Sequence, residues 1–331
     1  MRFKSRSPMS NPPVTLGAIQ EARVRILNIA YRTPLYFSPR LSALTGAHVY
    51  LKLESYQPIH VFKIRGAANK ILKLSTNDRS RGFVAASSGN HGIAVSYVAK
   101  RLGTTATVVV PTTAVEEKVK GMEEYGAKVE RYGRFHDERL NRALEIQKTT
   151  GAVFIHPFED PDIIAGQGTI GLEIIEDLPD VNTVIVPIGG GGLISGISTA
   201  IKSLKPAAKM IGVEPERASS MYQSIRNGQI TRLTDTTSIA DGLATREPGP
   251  LTFETAKRNV DSILLVSETQ IERGVFTAIK ECHTIVEPSA GAVFAALTDA
   301  YRPKAGEKIV LVVSGGNISL KILGAILSKY G

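Results

Sequence analysis

Short apolar runs alternate with longer stretches in which apolar residues recur at helical spacing. The short runs are rich in β-branched residues, which is typical of buried strands. They predict strands at 48–53, 83–86, 105–110, 128–132, 153–156, 181–188, 209–214, 263–266 and 308–313. The longer stretches predict helices at 18–30, 63–74, 91–102, 115–125, 137–149, 161–177, 193–204, 268–282 and 289–300, with a last helix from 318. Turn residues dominate 215–250, which we predict to be irregular.

The regular alternation of strand and helix predicts an α/β fold with parallel sheets. The run at 181–188 is almost wholly apolar, which favours a central strand buried on both faces. No repeat or low-complexity linker interrupts the pattern. A chain of 331 residues provides a sizeable core for one large domain or two modest ones.

Composition and charge narrow the possible functions. The chain is 43% hydrophobic and 21% charged, as in ordinary globular proteins. Its net charge of +9 comes from scattered residues, and no basic run is interleaved with aromatics. This disfavours a nucleic-acid partner and favours an anionic substrate or cofactor. No apolar run reaches the ~18 residues of a membrane span.

The ends of the chain and its cysteine content bear on location. Residues 1–13 are basic and rich in serine and proline, without the apolar core of a secretory signal, so we predict a disordered tail. Cys282 is the single cysteine, which excludes an intrachain disulfide. It lies in a predicted helix, as a packed thiol would. The expected location is the cytoplasm.

Four consecutive glycines join the apolar strand at 181–188 to the next helix. They are Gly189, Gly190, Gly191 and Gly192, and the helix begins at Leu193. Glycines let the backbone approach an anion, and a helix N-terminus adds free N–H groups, so the junction predicts a phosphate site. It has neither the Lys-Ser/Thr ending of a P-loop nor Gly-x-Gly-x-x-Gly spacing, which disfavours nucleoside triphosphates and dinucleotides.

Two further junctions between strand and helix are polar. The first consists of Ser87, Ser88, Gly89, Asn90 and His91. The second, 314–317, reads Ser-Gly-Gly-Asn and follows the last predicted strand. Each would serve as a simple cap, and the first also suits a carboxylate. Together the three junctions predict a phosphate-bearing cofactor and a small carboxylate substrate, without naming the cofactor.

The segment ESYQPIHVFKIRGA at 54–67 resembles the lysine segment of fold-type II pyridoxal phosphate (PLP) enzymes, commonly QPxxSFKxRGA. Other family segments follow in order: SSGNHG at 87–92, HPFED at 156–160, AGQGTIGLEI at 165–174, GGGGL at 189–193, IADGLA at 239–244, VEPSAGA at 286–292 and SGGN at 314–317. The similarity extends from about residue 33 to 317. It is greatest to threonine and serine dehydratases, with serine racemases and 3-hydroxyaspartate dehydratases as near relatives.

The resemblance implies two open parallel-sheet domains of the tryptophan synthase β-like type. Residues 1–76 and 158–331 would form the large PLP-binding domain, and 77–157 the small domain. The implied activity is β-elimination of L-threonine or L-serine to a 2-oxo acid and ammonia, by a homodimer. Serine racemase and 3-hydroxyaspartate dehydratase are the alternatives, and a catalytically silent PLP-binding protein is a remote one.

The resemblance also implies how the cofactor is held. Lys63 would carry PLP covalently and later remove the Cα proton of the substrate. The PLP phosphate would lie on the four glycines and Leu193. Phe62 would pack beside the ring, Asn90 would donate a hydrogen bond to its phenolic oxygen, and Ser314 would face its nitrogen.

The substrate would be held at the first polar junction. The main-chain amides of 87–91 would bind its carboxylate. Ser88 also matches the residue that serves racemases as a second acid or base. Arg139, at the start of a predicted small-domain helix, could reach a second carboxylate, as in 3-hydroxyaspartate, although a solvated arginine is the simpler interpretation.

Three departures from the family pattern affect these expectations. Val61 replaces the usual serine before Phe-Lys, which predicts altered polar packing and retained activity. Phe158 stands where racemases have asparagine, which favours a dehydratase. Glu214 and Ala218 match two ligands of the divalent cation in racemase-like enzymes, but Ser220 replaces the third, an aspartate, so a metal site is doubtful.

Overall fold

A computed structural model describes residues 14–87, 89–134 and 136–331. Its strands are β1 (Leu35–Phe37), β2 (His48–Leu53), β3 (Phe83–Ala86), β4 (Ala106–Val110), β5 (Lys128–Arg131), β6 (Val153–Phe154), β7 (Thr183–Pro187), β8 (Lys209–Pro215), β9 (Ser262–Val266) and β10 (Lys308–Val313). Its helices are α1 (Leu16–Ile26), α2 (Pro39–Thr45), α3 (Lys63–Lys73), α4 (Thr76–Ser80), α5 (Asn90–Arg101), α6 (Glu116–Glu124), α7 (His136–Thr150), α8 (Pro161–Asp177), α9 (Gly192–Leu204), α10 (Ser220–Asn227), α11 (Pro250–Asn259), α12 (Glu268–Cys282), α13 (Pro288–Ala295) and α14 (Leu320–Tyr330).

Two open sheets form the framework of the described chain. The larger has the strand order β1-β2-β10-β7-β8-β9, and the smaller has the order β5-β4-β3-β6. Neighbouring strands are parallel, except that β1 pairs antiparallel with β2. The predicted α/β fold with two parallel sheets is confirmed. The smaller sheet lies within 77–157, and the division into domains at these boundaries stays a prediction.

The centre of the larger sheet is apolar on both faces. Strand β7 is buried along its whole length, and Val184 lies opposite Val310 of β10 and Met210 of β8. Helices cover this sheet on either side, so the wholly apolar run predicted to be a central strand has no face in water. Ligands can therefore reach the sheet only at its ends.

Helix α10 lies in the segment that the sequence pattern predicted to be irregular, so that prediction was wrong. The Glu214 carboxylate accepts hydrogen bonds from the main-chain N–H groups of Met221 at 2.9 Å and Tyr222 at 2.8 Å. The cap of this helix thus comes from the preceding strand and not from an adjacent Ser, Asp or Asn. A local search for capping residues cannot detect such a helix start.

The expectations for membrane spans, the single cysteine and the N-terminal tail can be compared with the structure. Among the described residues, none of the helices combines the length and hydropathy needed to cross a bilayer. Cys282 packs against the core of the larger sheet with its Sγ 3.4 Å from Ser38 Oγ, and burial raises the pKa of its thiol. The tail predicted at 1–13 lies outside the described residues.

Helix α3, which begins at Lys63, is packed closely against α8. A Cβ atom at Gly166 would lie 2.5 Å from the carbonyl oxygen of Arg65, so only glycine permits this approach. The N–H of Gly66 donates to Gln167 Oε1 at 3.2 Å. The first turn of α3 is therefore held by α8 through both backbone and side-chain contacts.

A buried network of charges ties the same turn to β2. Arg65 is 1% exposed and donates to Glu54 at 2.8 Å and to Glu173 of α8 at 2.6 Å. Lys52 of β2 donates to Glu173 at 2.6 Å. Burial alone would raise the pKa of Glu54, but the charge and hydrogen bonds of Arg65 outweigh it and lower that pKa. Removal of one partner would leave a buried charge unpaired, so the network is stable in the interior only when all of its members are present.

We expect Arg65→Ala to lower the free energy of unfolding by about 3–5 kcal/mol, because it leaves buried carboxylates without a partner. Urea denaturation would measure this. Arg273→Ala is the matched control, since Arg273 pairs with Asp299 at the surface, and it should cost below about 1 kcal/mol. Equal effects of the two substitutions would contradict the role given to the network.

Candidate active site

Lys63 lies where the carboxyl ends of strands from both sheets meet. It lines a cleft of about 730 Å³, a volume typical of small-molecule sites, and also a smaller pocket further inside. The inner pocket is lined by Phe62, Lys63, Asn90, Phe158, Pro187, Gly189, Gly190, Gly191, Gly192, Leu193, Gly242, Leu243, Glu287, Ser289 and Ser314. The structure therefore brings together the lysine, the four glycines and one residue from each of the two polar junctions.

The Lys63 side chain is half-buried and points its amine at these groups. Its Nζ donates to the carbonyl oxygen of Pro157 at 2.9 Å and lies 5.2 Å from the centre of the Phe62 ring. Burial lowers the pKa of Lys63 to about 8, against the opposing charge of Glu287. A substantial fraction of the amine is therefore neutral near physiological pH, as attack on an aldehyde requires.

The four glycines form a turn that no side chain would fit. A Cβ atom would lie 2.7 Å from the Gly242 carbonyl oxygen at Gly189 and 2.3 Å from the Phe158 ring at Gly190. Gly191 has φ +91°, which glycine adopts without strain. Within the described chain, no main-chain acceptor takes the N–H groups of 190–192. They remain available to an anion at the N-terminus of α9.

Phe158 packs directly on this turn. Its ring stands edge-to-face with His156, with centroids 4.9 Å apart. The contacts at Gly190 and Gly192 explain why these positions are glycines even without a ligand. The aromatic ring thus forms one wall of the inner pocket, in the place where the resemblance had suggested asparagine for a racemase.

The junction at 87–91 combines a cap with free amides. Ser87 Oγ accepts hydrogen bonds from the N–H groups of Gly89 at 3.2 Å and Gly92 at 3.1 Å, and the N–H of Ser87 donates to Val109. This leaves the main-chain N–H groups of Asn90 and His91 without such an acceptor in the described residues. Ser88, expected to act as a second acid or base, lies outside the described residues.

His91 is buried, and its ring is hydrogen-bonded to the main chain of β6's neighbour Ile155. Its Nε2 lies 2.8 Å from the carbonyl oxygen of Ile155, and burial lowers its pKa to about 3, with the Lys63 charge adding to the effect. The ring is therefore neutral at physiological pH. Only the main chain of His91 suits the binding of a carboxylate.

Glu287 is a residue of the inner pocket to which the sequence analysis assigned no role. Its carboxylate accepts hydrogen bonds from Asn90 Nδ2 at 2.9 and 2.8 Å. Asn90 Oδ1 in turn accepts from Asn317 Nδ2 at 2.9 Å. The segment VEPSAGA marked this position as part of a family pattern, but nothing local indicated that it would meet Asn90.

The last polar junction, 314–317, contacts the two residues that precede Lys63. Phe62 donates its N–H to the carbonyl oxygen of Ser314 at 3.0 Å, and Val61 forms an antiparallel bridge with Gly315. Val61 is fully buried, and a Cβ at Gly315 would lie 3.1 Å from its Cγ2. Valine fills this apolar contact and brings no hydroxyl that would need a partner.

Arg139 lines the outer cleft and is 9% exposed. Its Nη1 donates to the carbonyl oxygen of Arg134 at 3.1 Å, and its Nε has no hydrogen-bond partner among the described residues. Burial lowers the pKa of Arg139, against the nearby charge of Glu138. A nearly buried guanidinium with an unused donor is suited to bind an anion that enters the cleft.

Glu214, the carboxylate considered for a divalent cation, caps helix α10. Both oxygens of Glu214 accept main-chain hydrogen bonds from α10, and burial raises the pKa of this carboxyl to about 8. Ser220 contributes a buried hydroxyl. Across the described ranges, no cluster of three or more His, Cys, Asp or Glu side chains could hold a metal.

Comparison with known proteins relates this geometry to a family. A family model described as "Pyridoxal-phosphate dependent enzyme" matches residues 26–315. An L-threonine ammonia-lyase of Thermotoga maritima is 46% identical over 316 residues, which cover 96% of this chain and 79% of that protein. A catabolic L-threonine dehydratase of Staphylococcus aureus is 41% identical, over 95% of this chain and 92% of that one.

A solved structure is similar over nearly the whole chain. The maize serine racemase superposes with a TM-score of 0.91 at 36% identity, covering 96% of this chain and 98% of the racemase. The similarity thus includes both sheets and the cleft between them.

The inner pocket fits PLP by the chemistry of its groups. The unused amides of the glycine turn suit a phosphate, and the partly neutral Lys63 suits an aldehyde. Asn90 and Ser314 provide polar groups, and Phe62 provides an apolar surface. These residues would hold the cofactor.

We expect Gly190→Ala to weaken PLP binding at least about tenfold, because the new methyl would displace Phe158 at a cost of about 1–3 kcal/mol. Equilibrium dialysis with PLP measures the affinity. Gly324→Ala in α14 is the control, since its Cβ would meet nothing within 4 Å. Unchanged affinity in Gly190→Ala would mean that the turn does not contact the phosphate.

Proposed function

Because this chain belongs to the family of pyridoxal-phosphate dependent enzymes, we propose that it dehydrates and deaminates L-threonine or L-serine. The products are a 2-oxo acid and ammonia. The proposal is supported by the similarity to an L-threonine ammonia-lyase and an L-threonine dehydratase. The observation that carries it is the Lys63 amine, partly neutral and placed beside an anion-binding glycine turn.

Lys63 acts as the base. Bound PLP supplies an electron sink for the pair left when the substrate loses its Cα proton. A lysine whose pKa is lowered to about 8 can accept that proton and return it within the pH range of the cell. The carbonyl oxygen of Pro157 accepts a hydrogen bond from Nζ at 2.9 Å and so holds the amine in place in the pocket.

The N-terminus of α5 binds the substrate carboxylate. In the described chain the N–H groups of Asn90 and His91 donate to no main-chain acceptor, and the helix dipole favours negative charge beside them. The buried His91 ring takes no part in proton transfer, because it is neutral and hydrogen-bonded to Ile155. Substrate orientation therefore depends on the backbone.

The overall reaction balances without an added oxidant or reductant. L-Threonine loses its Cα proton and its β-hydroxyl as water, which leaves an enamine. The enamine then takes up one water and yields 2-oxobutyrate and ammonia. Ser314, a neutral hydroxyl at the inner pocket, would face the ring nitrogen without the full charge that an aspartate would add.

The first test is release of 2-oxo acid from L-threonine, L-serine, D-serine and 3-hydroxyaspartate by the protein supplied with PLP. We expect turnover of L-threonine or L-serine, a band above 400 nm, and loss of both in Lys63→Ala. Lys73→Ala, an exposed lysine of the same helix, is the control and should keep both. Binding of PLP without turnover of any substrate would indicate a catalytically silent protein, and conversion of L-serine to D-serine would indicate a racemase.

Arg139 favours a second candidate, dehydration of 3-hydroxyaspartate. The side-chain carboxylate of this substrate would be bound by the unused Nε of the nearly buried guanidinium in the cleft. L-Threonine has a methyl group at that position and would not need Arg139. Both candidate reactions use Lys63. They differ only in the group of the substrate side chain that the outer cleft contacts.

If the second candidate is correct, Arg139→Ala lowers kcat/KM for 3-hydroxyaspartate at least about tenfold, the effect of losing a charge-assisted hydrogen bond. Its kcat/KM for L-threonine should change by less than about threefold, since a hydroxyl and a methyl make no ionic contact. Arg134→Ala is the control, because Arg134 lines the same cleft with an exposed side chain. Equal losses of kcat/KM for both substrates would indicate that Arg139 has only a structural role.

The assembly and location follow the same proposal. Tyr36 and Phe37 on the edge strand β1, and Leu320 at the start of α14, are exposed apolar side chains that a second copy would cover. We therefore propose a homodimer, with the cytoplasm as its location and no nucleic-acid or membrane partner. The scattered charge and the lack of a basic stripe support the absence of a nucleic-acid partner.

A further inference from the structure

Glu287 stands at the start of α13 and forms part of the inner pocket. It is 3% exposed, and its N–H donates to the carbonyl oxygen of Gly315 at 3.1 Å. Its carboxylate is buried with it and is held by the two hydrogen bonds from Asn90 Nδ2. The mechanism above makes no use of it, although it shares the pocket with Lys63.

The Asn90 amide has its orientation determined by its two neighbours. Its NH2 group donates to both oxygens of Glu287, and its Oδ1 accepts from Asn317 Nδ2. Asn317 Nδ2 also donates to the carbonyl oxygen of Ile59 at 3.1 Å, which fixes Asn317 as the donor. A flipped Asn90 would place its oxygen against a carboxylate and its NH2 against another NH2. Glu287 thus keeps the Asn90 donor on the side of the pocket.

The charged groups around Glu287 come from several elements. Lys63 of α3 and Lys118 of α6 stabilise its negative charge, and Asp241, in the turn Asp241–Leu243, opposes it. Burial raises the pKa of Glu287 to about 7, which the hydrogen bond from Asn90 moderates. Above neutral pH the carboxylate is mainly ionised, and its charge then favours the protonated form of a base at Lys63.

A neighbouring hydroxyl indicates that this wall faces a ligand. Ser289 is in the first turn of α13, it is buried, and it lines the same inner pocket. Its Oγ has no hydrogen-bond partner in the described part of the chain. A buried hydroxyl of this kind is costly unless a bound group completes it. The start of α13 therefore presents both a carboxylate and an unsatisfied donor to the pocket.

We propose that Glu287 is a positioning residue for the cofactor. It holds the Asn90 amide with its NH2 group available at the pocket, and its negative charge favours the protonated state of the nitrogen that Lys63 contributes. The inference rests on the assignment of Lys63 and Asn90 to PLP in the proposed function. It does not depend on which amino acid is the substrate.

The test is a pH titration of the holoenzyme without substrate, followed by the absorbance band above 400 nm. Glu287→Gln removes the charge at nearly constant volume. We expect the pH midpoint of the band to fall by about one unit, the lower end of the effect of a nearby opposite charge. Glu216→Gln is the matched control, because it removes the same charge from an exposed position, and its midpoint should equal that of the wild type.

Affinity for PLP provides the second measurement. Glutamine can present either NH2 or oxygen to Asn90, so the Asn90 amide is no longer held in one orientation. We expect the dissociation constant for PLP to rise about tenfold in Glu287→Gln, from the loss of a hydrogen bond to a charged group. Glu287→Asp keeps the charge but withdraws it from Asn90, so it should weaken PLP binding while the midpoint stays that of the wild type.

The outcomes separate this inference from the proposed function. An unchanged midpoint in Glu287→Gln overturns the inference, and so does an equal shift in Glu287→Asp, which would show that lost packing and not lost charge moves the midpoint. If Glu287→Gln does not fold, the affinity of Glu287→Asp for PLP decides, because an unchanged dissociation constant in that variant would overturn the inference. A shifted midpoint in an enzyme that does not turn over L-threonine would support Glu287 and overturn the substrate assignment.

Discussion

The ion network around Arg65 is the constraint on which the rest of the site depends. Buried charges tolerate no partial pairing, so Glu54, Glu173 and Arg65 have one low-energy arrangement. That arrangement joins the end of β2, the middle of α8 and the first turn of α3. Lys63 is two residues from Arg65 on the same turn. The position of the Lys63 amine is therefore set by charges that lie outside the lining of the cleft and the inner pocket.

The pocket itself is assembled from segments that are distant in the chain. The glycine turn follows β7, Asn90 follows β3, and Ser314 follows β10. The first and last belong to the larger sheet and the second to the smaller one. Across the cleft, Lys118 of α6 forms an ion pair with Asp241. Binding a ligand between the sheets thus requires both to present their carboxyl ends to the same space.

Polarity differs between the inner and outer parts of this space. The inner pocket combines unused main-chain amides with a partly neutral amine and one buried carboxylate, Glu287. The outer cleft is lined by charged side chains, Arg139 among them. The inner part is suited to a cofactor with a fixed structure, and the outer part is where substrates with different side chains would be distinguished. Substitutions that change substrate specificity would accordingly be expected at Arg139 and not at Lys63.

Sequence alone determined the features that depend on local pattern. The period of apolar residues gave most strands and helices, including β2, β3, α8, α12 and β10 with their observed ends, and the glycines at 189–192 indicated an anion site. Tertiary structure decided what depends on distant partners. Helix α10 is capped by Glu214 from the preceding strand, Ser87 Oγ accepts a hydrogen bond from Gly89, one of the amides predicted to bind substrate, and Glu287 meets Asn90 across 197 positions of sequence. Hydrogen bonds and burial of this kind arise only when the chain is folded, because neither partner has a local signal for the other.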